Sequence, residues 1–185
     1  MNIVKFPSIE SFFNVVRAVE AYPPLVNQGK VQYRGKIKLH GTNAGVRVKD
    51  GEVLAQSRTQ FITVKDDSFS FAKFVEKNSE YFKSIKGLND FTIYGEWCGP
   101  GIMKGTVINK LPNKIFVIFA IGIGEFEIIF NPDEIKEKLG SLPNDIYILP
   151  FYDESLGCPP NLVCFEADFN NKEELQVLAD NISND

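Results

Sequence analysis

Two short segments rich in strand-forming residues, joined by the turn Lys49-Asp50-Gly51, constrain the fold of this chain most strongly. Residues 44–48 and 53–57 each have the length and apolar content of a short strand. An Asp-Gly pair between two such segments is the usual sequence of a tight β-hairpin. We therefore expect an antiparallel sheet here, rather than the regular β-α-β units of a parallel sheet.

The remaining elements follow from the spacing of the apolar residues along the chain. Apolar residues at a spacing of three and four predict helices, and Ser8 is expected to cap the first of them. The predicted helices span residues 8–22, which Pro23 and Pro24 end, and residues 67–85, 132–139 and 172–182. The further predicted strands span residues 33–39, 91–96, 115–121, 125–129 and 146–149. This mixture of hairpins and helices predicts an α+β fold with mainly antiparallel sheets flanked by helices.

The composition excludes several classes of protein. A chain of 185 residues suits one domain. With 44% hydrophobic residues it has enough apolar material for a core, which excludes wholesale disorder. The formal net charge of -4 excludes a globally basic protein that coats nucleic acid, although a local basic groove stays open.

The cysteines and the apolar segments indicate the compartment. Cys98, Cys158 and Cys164 are odd in number and contain no Cys-x-x-Cys pair, which makes a disulfide framework or a zinc site improbable. The longest apolar segments, such as residues 115–123, are shorter than the roughly 20 residues that span a bilayer. The first ten residues lack the pattern of a signal peptide. We therefore expect a soluble cytoplasmic protein with no membrane partner.

The segment Lys38-Leu39-His40-Gly41-Thr42-Asn43 carries the strongest chemical signal. A lysine amine attacks carbonyl or phosphorus centres only when it is deprotonated, and its unperturbed pKa is about 10.4. Gly41 lets the backbone turn and lets a ligand approach closely. Taken alone, however, a lysine is usually a solvated surface charge, and a lone histidine such as His40 is usually a surface or packed residue.

This segment resembles motif I of the covalent nucleotidyltransferases, the superfamily of ATP-dependent DNA ligases, RNA ligases and mRNA capping enzymes. Its Lys-x-His-Gly-Thr-Asn form is similar to that of the RNA ligase 2 class and of related editing-type ligases. Further resemblances follow in the order that the family has. They are Ser57-Arg58-Thr59, the motif III-like Ile93-Tyr94-Gly95-Glu96-Trp97, the run from Gly99 to Lys104, and the motif IIIa-like Phe116-Val117-Ile118-Phe119-Ala120. Motif I alone could match by chance, but the ordered set argues for the family.

The resemblance implies that ATP and Mg²⁺ are the cofactors and that four residues handle the phosphates. Lys38 would attack the α-phosphate of ATP and form lysyl-AMP while pyrophosphate leaves. His40 and Asn43 would position the phosphates or a metal-bound water. Arg58 would reach the ribose or a phosphate, although alone it is most simply a surface charge. The residues that would hold the metal stay unknown.

The resemblance also implies which residues bind the nucleoside. Glu96 would accept a hydrogen bond from a ribose hydroxyl, and Phe119 would stack on the adenine face. Backbone groups at Ile37 and Leu39 would read the adenine edge. Each role has a structural alternative, because Glu96 could end a strand in solvent, Phe119 could belong to the core, and Phe116 competes for the stacking role.

The chain departs from the family pattern in three places. Gly122 stands where the family has an acidic residue soon after the motif IIIa aromatic. Glu166, within residues 164–168, lacks the glycine of motif IV, and no Lys-x-Lys of motif V follows it before the last lysine, Lys172. The resemblance therefore implies that residues 1–185 form a partial, ATP-grasp-like adenylyltransferase domain, the N-terminal part of a ligase, whose partner would be a missing C-terminal segment. Without motifs IV and V, attack on phosphorus should be slow or absent, whether the chain is a truncated piece or a natural remnant.

The implied substrate of the complete enzyme is RNA with nicked or broken ends. Arg34, Lys36, Lys38, Arg47 and Arg58 could form a local patch for RNA phosphates, and solvated strand edges explain them equally well. The Asn-, Lys-, Phe- and Ile-rich composition hints at an AT-rich genome of viral type, which would place the protein in a host cytoplasm. The resemblance to RNA ligases implies a role in RNA repair.

Two other functions stay open at this point. One is a catalytically incomplete pseudo-ligase module that binds a nucleotide or RNA. The other is an mRNA-capping guanylyltransferase, against which His40 argues, because the general family pattern has Asp at that position.

Overall fold

The computed structural model describes residues 1–21, 30–67, 69–124, 126–152 and 164–184. Two compact units divide the chain: Met1–Phe6 with Lys38–Pro150, and Pro7–Ile37 with Phe151–Asp185. The assignment of residues 1–185 to one partial adenylyltransferase domain stays a prediction. No helix in the described ranges has both the length and the apolar character needed to cross a membrane.

The described residues form strands and helices in the following order. The strands are β1 (Lys30–Arg34), β2 (Thr42–Lys49), β3 (Glu52–Gln56), β4 (Phe61–Ile62), β5 (Asp90–Cys98), β6 (Ile115–Ile123), β7 (Glu127–Ile129), β8 (Ile146–Ile148) and β9 (Cys164–Asp168). The α-helices are α1 (Phe12–Ala21), α2 (Phe71–Lys77), α3 (Ser79–Ser84), α4 (Pro132–Leu139) and α5 (Lys172–Asn184). A short 3₁₀ helix spans Val107–Lys110.

The larger unit is built on a sheet in which seven of these strands take part, in the order β4-β3-β2-β5-β6-β7 with β8 also on β6. All pairs are antiparallel except β6 with β8. The predicted hairpin is present as β2 and β3, and its turn residues Asp50 and Gly51 have φ of 51° and 78°. Positive φ at both positions is the geometry that an Asp-Gly turn favours. The prediction of an α+β fold with mainly antiparallel sheets is confirmed.

One face of this sheet carries the apolar core. Ala44, Val46 and Val48 alternate along β2, and each is at most 4% exposed. They share one cluster with residues of α2, α3 and α4. We call this the core face. Because the side chains of a strand alternate, Asn43, Arg47 and their cross-strand neighbours point to the opposite face, which we call the site face.

Several elements differ from the predictions. The helix expected over residues 67–85 is two helices, α2 and α3, separated by Asn78, whose side chain donates to the carbonyl of Phe74 (2.9 Å). Helix α1 begins at Phe12 rather than near Ser8, and Ser11 accepts the amide of Asn14 instead. The strand expected over residues 33–39 is shorter and earlier, at β1. Tyr22, Pro23, Pro24 and Glu125 lie outside the described residues, as does Cys158.

The smaller unit contains a two-stranded antiparallel sheet, β1 with β9, and helices α1 and α5. Its core includes Val16, Ala167, Phe169 and Leu175. Strand β9 was not predicted. Glu166, the poor match to motif IV, lies on it with an exposed carboxylate that pairs with Lys30 Nζ at 2.8 Å.

Candidate active site

A hydrogen bond from a backbone amide to a side-chain carboxylate joins the turn before β2 to the C-terminal end of β5. The Gly41 N–H donates to Glu96 Oε1 at 3.0 Å. A Cβ at position 41 would press on the backbone carbonyl of Trp97 and would lie 2.8 Å from Cys98 Sγ. Only glycine therefore fits this turn. The motif I segment and Glu96, 55 residues apart in sequence, meet here.

The Glu96 carboxylate is the electrostatic centre of this cluster. Burial raises its pKa above the ordinary value, while the Gly41 amide and the charges of Lys38 and His40 oppose that shift. Lys38 and His40 are themselves exposed, and Asn43 is the cross-strand partner of Glu96. The structure thus brings together Lys38, His40, Asn43 and Glu96, which the sequence separates into two motifs.

Cys98 follows Glu96 on β5 and is fully buried. Burial, with the nearby Glu96 carboxylate as a smaller cause, raises the pKa of its thiol to about 12. The thiolate is the form that attacks electrophiles and binds metals, so a thiol with this pKa is chemically inert near neutral pH. The nucleophile of the site is therefore not Cys98.

Phe119 occupies an irregularity in the pairing of β5 with β6. Tyr94 pairs with Ala120 and Gly95 with Ile118, so the register of the two strands shifts at Phe119. Such a bulge redirects a side chain. Phe119 is half-buried, and its ring contacts the ring of Phe6 (centroids 5.0 Å apart).

Phe116, the competing aromatic residue of the motif IIIa strand, lies in the core. It is 0% exposed, and its ring lies 5.1 Å from that of Phe71 between centroids. A ring enclosed on the core face is unable to receive a ligand. Of the two phenylalanines, Phe119 is the one that a base could reach.

The other predicted nucleotide contacts are less closely tied to this cluster. Arg58 lies exposed in the turn between β3 and β4, which Ser57 Oγ shapes by accepting the amide of Gln60 at 3.2 Å. No contact in the described part of the chain joins the Arg58 guanidinium to Lys38 or Glu96. Ile37 and Leu39 are half-buried, and the boundary between the two units falls directly after Ile37.

Gly122, where the family pattern has an acidic residue, lies beneath the ring of Tyr94. A Cβ built at position 122 would lie 2.9 Å from Tyr94 Cε2 and 3.2 Å from its hydroxyl oxygen. The Tyr94 hydroxyl donates to the carbonyl of Val4 at 3.2 Å. A phenol ring therefore occupies the space that a side chain at position 122 would enter.

Arg47 does not belong to the predicted basic patch on the surface. Arg47 is 4% exposed and lies on the site face in an ion pair with Asp90. It also donates to the carbonyls of Phe91 (2.9 Å) and Val48 (3.2 Å). The interpretation of Arg47 as a phosphate-binding surface charge is wrong, because a guanidinium this enclosed is already satisfied by protein groups.

Arg34 and Lys36 of the same predicted patch lie in the smaller unit. The Arg34 guanidinium carbon is 4.0 Å, and Lys36 Nζ 5.0 Å, from the centroid of the Phe151 ring. Both distances fall within the range of a cation–π contact. Burial lowers the pKa of Lys36 from its ordinary value.

Sequence reasoning missed the segment Met1–Phe6, which belongs to the larger unit and contacts its site face. The segment has no helical or strand periodicity, so no pattern predicted its place. The one available signal was the presence of Arg47 and Gln56 in otherwise apolar strands, because a buried polar side chain needs a partner. Part of that need is met by the carbonyls of Asn2 and Val4.

The described residues do not form a ready-made magnesium site. No group of three or more His, Cys, Asp or Glu side chains within the described ranges has the geometry to hold a metal ion. Glu96 is the carboxylate beside Lys38, and one of its oxygens already accepts the Gly41 amide. Mg²⁺ prefers six oxygen ligands in octahedral geometry. These side chains alone therefore do not fit the metal.

Comparison with known proteins identifies the family. The model of the RNA ligase family matches residues 32–161. The chain belongs to the RNA ligase family. The matched region includes the whole cluster around Lys38 and Glu96.

Solved structures of Naegleria gruberi RNA ligase have the same fold. An apo mutant form is 18% identical to this chain, with a TM-score of 0.63, and the match covers 95% of this chain and 46% of that one. The form with pyrophosphate is 20% identical with a TM-score of 0.60, and a mutant form with ATP and Mn is 20% identical with a TM-score of 0.63. These two matches each cover 96% of this chain and 47% of the other. The chain spans about half the length of these relatives.

Proposed function

We propose that this chain is the adenylyltransferase part of an ATP-dependent RNA ligase of the RNA ligase 2 class. The observation that carries the proposal is the meeting of motif I and motif III at one end of the sheet, where the Gly41 N–H donates to Glu96 Oε1 at 3.0 Å and Asn43 pairs with Glu96. Membership of the RNA ligase family supports it. In this proposal, residues 1–185 form part of one adenylyltransferase domain.

The reaction begins at the Lys38 amine. Its nitrogen lone pair forms a bond to the α-phosphorus of ATP, and the bond from that phosphorus to the bridging oxygen breaks. Pyrophosphate leaves with the electron pair, and the amine proton passes to solvent, since Lys38 is exposed. AMP then passes from Lys38 to the 5′-phosphate of RNA, and a 3′-hydroxyl attacks that phosphate and releases AMP.

The other residues bind and orient the nucleotide. Glu96 Oε1 accepts the Gly41 N–H, and the second carboxylate oxygen would accept a hydrogen bond from a ribose hydroxyl. Phe119 would stack on adenine, a contact worth about 1–3 kcal/mol. His40, Asn43 and Arg58 would contact the phosphates or ribose, and backbone groups of Ile37 and Leu39 would contact the adenine edge.

Mg²⁺ would arrive with the nucleotide. Relatives with this fold have been solved with ATP and Mn. Mg²⁺ is usually held by one or two carboxylates together with substrate phosphates. In this proposal the triphosphate carries the metal in, and the metal would neutralise phosphate charge.

The direct test is formation of a covalent adduct. The purified chain is incubated with Mg²⁺ and ATP labelled either at the α- or at the γ-phosphate, and the denatured protein is counted. Because motifs IV and V are not found in residues 1–185, we expect slow labelling, from α-labelled ATP only, and mass spectrometry should place AMP on Lys38. Lys38→Ala should abolish the adduct, whereas Lys36→Ala, two residues earlier, should retain it as the matched control.

Two results would contradict the proposal. An adduct that survives in Lys38→Ala would assign the nucleophile elsewhere. No adduct in the wild-type chain would refute catalysis by this chain, and thermal stabilisation by ATP under the same conditions would then identify a nucleotide-binding module. Competition by GTP rather than ATP would instead indicate a guanylyltransferase.

A further inference from the structure

The loop between β5 and β6, residues 99–114, begins three residues after Glu96. It returns to the sheet at the start of β6, where Ile115 pairs with Cys98. The turn at Gly41 packs against the same end of β5, because a Cβ at position 41 would lie 2.8 Å from Cys98 Sγ. The loop therefore lies at the end of the sheet that carries the motif I segment and Glu96, and we call it the site-end loop.

The base of the site-end loop is fixed to the rest of the larger unit. Lys114 Nζ and Trp97 Nε1 both donate to the backbone carbonyl of Phe69, each at 2.9 Å. The two stems of the loop also touch, since a Cβ at Gly99 would lie 2.7 Å from the Cα atom of Lys114. The amine of Lys114 is thus already used by a protein group, and the loop leaves the sheet through a closed neck.

Hydrogen bonds within the site-end loop hold its body together. The Gly101 N–H donates to Asn109 Oδ1 at 2.8 Å, and Thr106 Oγ1 donates to the carbonyl of Met103 at 3.0 Å. Ile102 packs against the core cluster of the larger unit. A compact loop of this length, whose ends meet and whose own side chains fill it, frequently carries a function. The loop therefore presents its outward side chains from a fixed frame.

The outward side chains of the site-end loop combine positive charge with apolar surface. Lys104 and Lys110 are exposed, and the loop contains no Asp or Glu although the chain has 24 of them. Within the described ranges, neither ammonium group takes part in an ion pair. Val107 and Met103, in the same loop, are 82% and 43% exposed. Such a surface suits a nucleic-acid strand, whose phosphates are anionic and whose bases have apolar faces.

We propose that the site-end loop binds backbone phosphates of the RNA strand to be joined, through Lys104 and Lys110. This inference rests on the proposed function, because it takes the chain to be part of an RNA ligase. It gives a role to a segment that the binding of ATP does not use. The loop would bring RNA to the end of the sheet where Lys38 carries AMP, and it would do so locally, in a chain whose net charge is -4.

The test measures RNA affinity as a function of salt. Fluorescence anisotropy follows binding of a labelled, 5′-phosphorylated oligouridylate to the full chain and to its Lys104→Ala/Lys110→Ala variant. Because counterion release gives about fivefold for each phosphate contact on a single strand at roughly 0.1 M salt, the variant should bind about 25-fold more weakly. The slope of log K against log salt should become about 1.4 less steep. Lys86→Ala/Lys138→Ala removes two exposed lysines outside the loop and should change neither quantity. Equal losses in the two double variants would assign the effect to net charge and overturn the inference.

A second pair of variants adds charge instead of removing it. Val107→Asp places a carboxylate on the surface between the two lysines and leaves both of them in place. It should weaken RNA binding, because the new charge repels the phosphates. Val64→Asp makes the same change at a position outside the loop that is 50% exposed, and it should leave RNA binding unchanged. Wild-type RNA affinity in Val107→Asp would overturn the inference.

Adduct formation with α-labelled ATP, measured without RNA in the same preparations, separates this inference from the proposed function. If the wild-type chain forms the adduct but Lys104→Ala/Lys110→Ala keeps its RNA affinity and salt slope, the proposed function stands and the role of the loop is overturned. If the wild-type chain forms no adduct but the variant loses affinity and slope as expected, catalysis by this chain is refuted and the role of the loop in RNA binding stands. A wild-type chain that binds no oligouridylate even at low salt would overturn the inference whatever the adduct shows.

Discussion

The two ends of β5 treat their carboxylates in opposite ways. Asp90, at the start of the strand, accepts Lys49 Nζ at 2.9 Å and pairs with Arg47, and the contact with Lys49 is the largest cause that lowers its pKa. Glu96, near the other end and on the same face, has a pKa that burial raises. The charge of Asp90 therefore stabilises the folded state, whereas the charge of Glu96 has a cost in folding free energy. Such costs are typical of functional sites, where charge is kept for a ligand.

The two shifts predict opposite dependence of stability on pH. A lowered pKa means that the folded state binds fewer protons, so the stabilisation by Asp90 is present above its ordinary pKa of 3.8 and is lost as the pH falls below it. A raised pKa means that the folded state binds more protons. The cost of Glu96 therefore appears as the pH rises from its ordinary value of 4.5 through the raised value.

The largest effect is expected from Gly41→Ala, which attacks the Glu96 end directly. The new methyl group would press on the Trp97 carbonyl and lie 2.9 Å from Glu96 Cγ, so the turn has to move away from β5. We expect loss of adduct formation on Lys38 and a decrease of about 1–3 kcal/mol in the free energy of unfolding, the usual cost of overpacking. Adduct labelling and urea unfolding measure the two effects.

Gly87→Ala is the control for this prediction. Gly87 has φ of 79° and no atom within 4 Å of a built Cβ, so alanine there meets backbone strain without a collision. It should lower stability by about 1 kcal/mol and leave adduct formation intact. Full adduct formation in Gly41→Ala would show that the link between Gly41 and Glu96 is dispensable.

The second prediction concerns the Asp90 end. Asp90→Asn keeps the shape of the side chain but leaves the buried Arg47 guanidinium without its opposing charge. We expect a loss of about 1–3 kcal/mol in the free energy of unfolding near pH 7, with nucleotide binding retained. Glu80→Gln breaks an ion pair whose carboxylate is 86% exposed and should change stability by less than about 0.5 kcal/mol. Equal losses of unfolding free energy in Asp90→Asn and Glu80→Gln would show that the burial of Arg47 does not increase the effect of breaking its ion pair.

The strands and the hairpin of the larger unit could be predicted because they depend on local patterns. Short runs of strand-forming residues marked β2 and β3, the Asp-Gly pair marked their turn, and Pro132 marked the first residue of α4. The break between α2 and α3 was missed, because the apolar spacing of the helical face continues across Asn78. Strand β9 was missed because its partner, β1, lies more than 100 residues earlier in the chain.

The residues of the site could be named from the sequence, but their environments could not. The motif named Glu96 without showing that Gly41 fills one of its oxygens. Charge alone placed Arg47 with the surface cations, whereas pairing across strands buries it beside Asp90. The contact of Phe6 with Phe119 joins residues more than 100 positions apart, which no periodicity encodes.

The third prediction compares the two ends by pH. Glu96→Gln removes the ionisation and keeps an oxygen that accepts the Gly41 amide. Its free energy of unfolding should match or exceed that of the wild type near pH 7, by no more than about 1 kcal/mol, while its affinity for ATP falls. Urea unfolding from pH 3 to pH 8 should show a weaker decline toward high pH in Glu96→Gln and a weaker decline toward low pH in Asp90→Asn. A less stable Glu96→Gln at every pH would contradict the assignment of a cost to this carboxylate.

The smallest effect is a difference in thiol reactivity that reports on the Glu96 end without disturbing it. With its pKa raised to about 12, the Cys98 thiol is almost wholly protonated at pH 8, and it is also buried. Cys164 is exposed. In a Cys158→Ser background, iodoacetamide should label Cys164 quickly and Cys98 only as fast as the fold opens, as peptide mass spectrometry measures. Rapid labelling of Cys98 in the wild-type fold would mean that water reaches this end of β5. That result would also contradict the conclusion that burial raises the pKa of Glu96. The same measurement in Gly41→Ala should show faster labelling of Cys98, because the turn that covers its sulfur has moved.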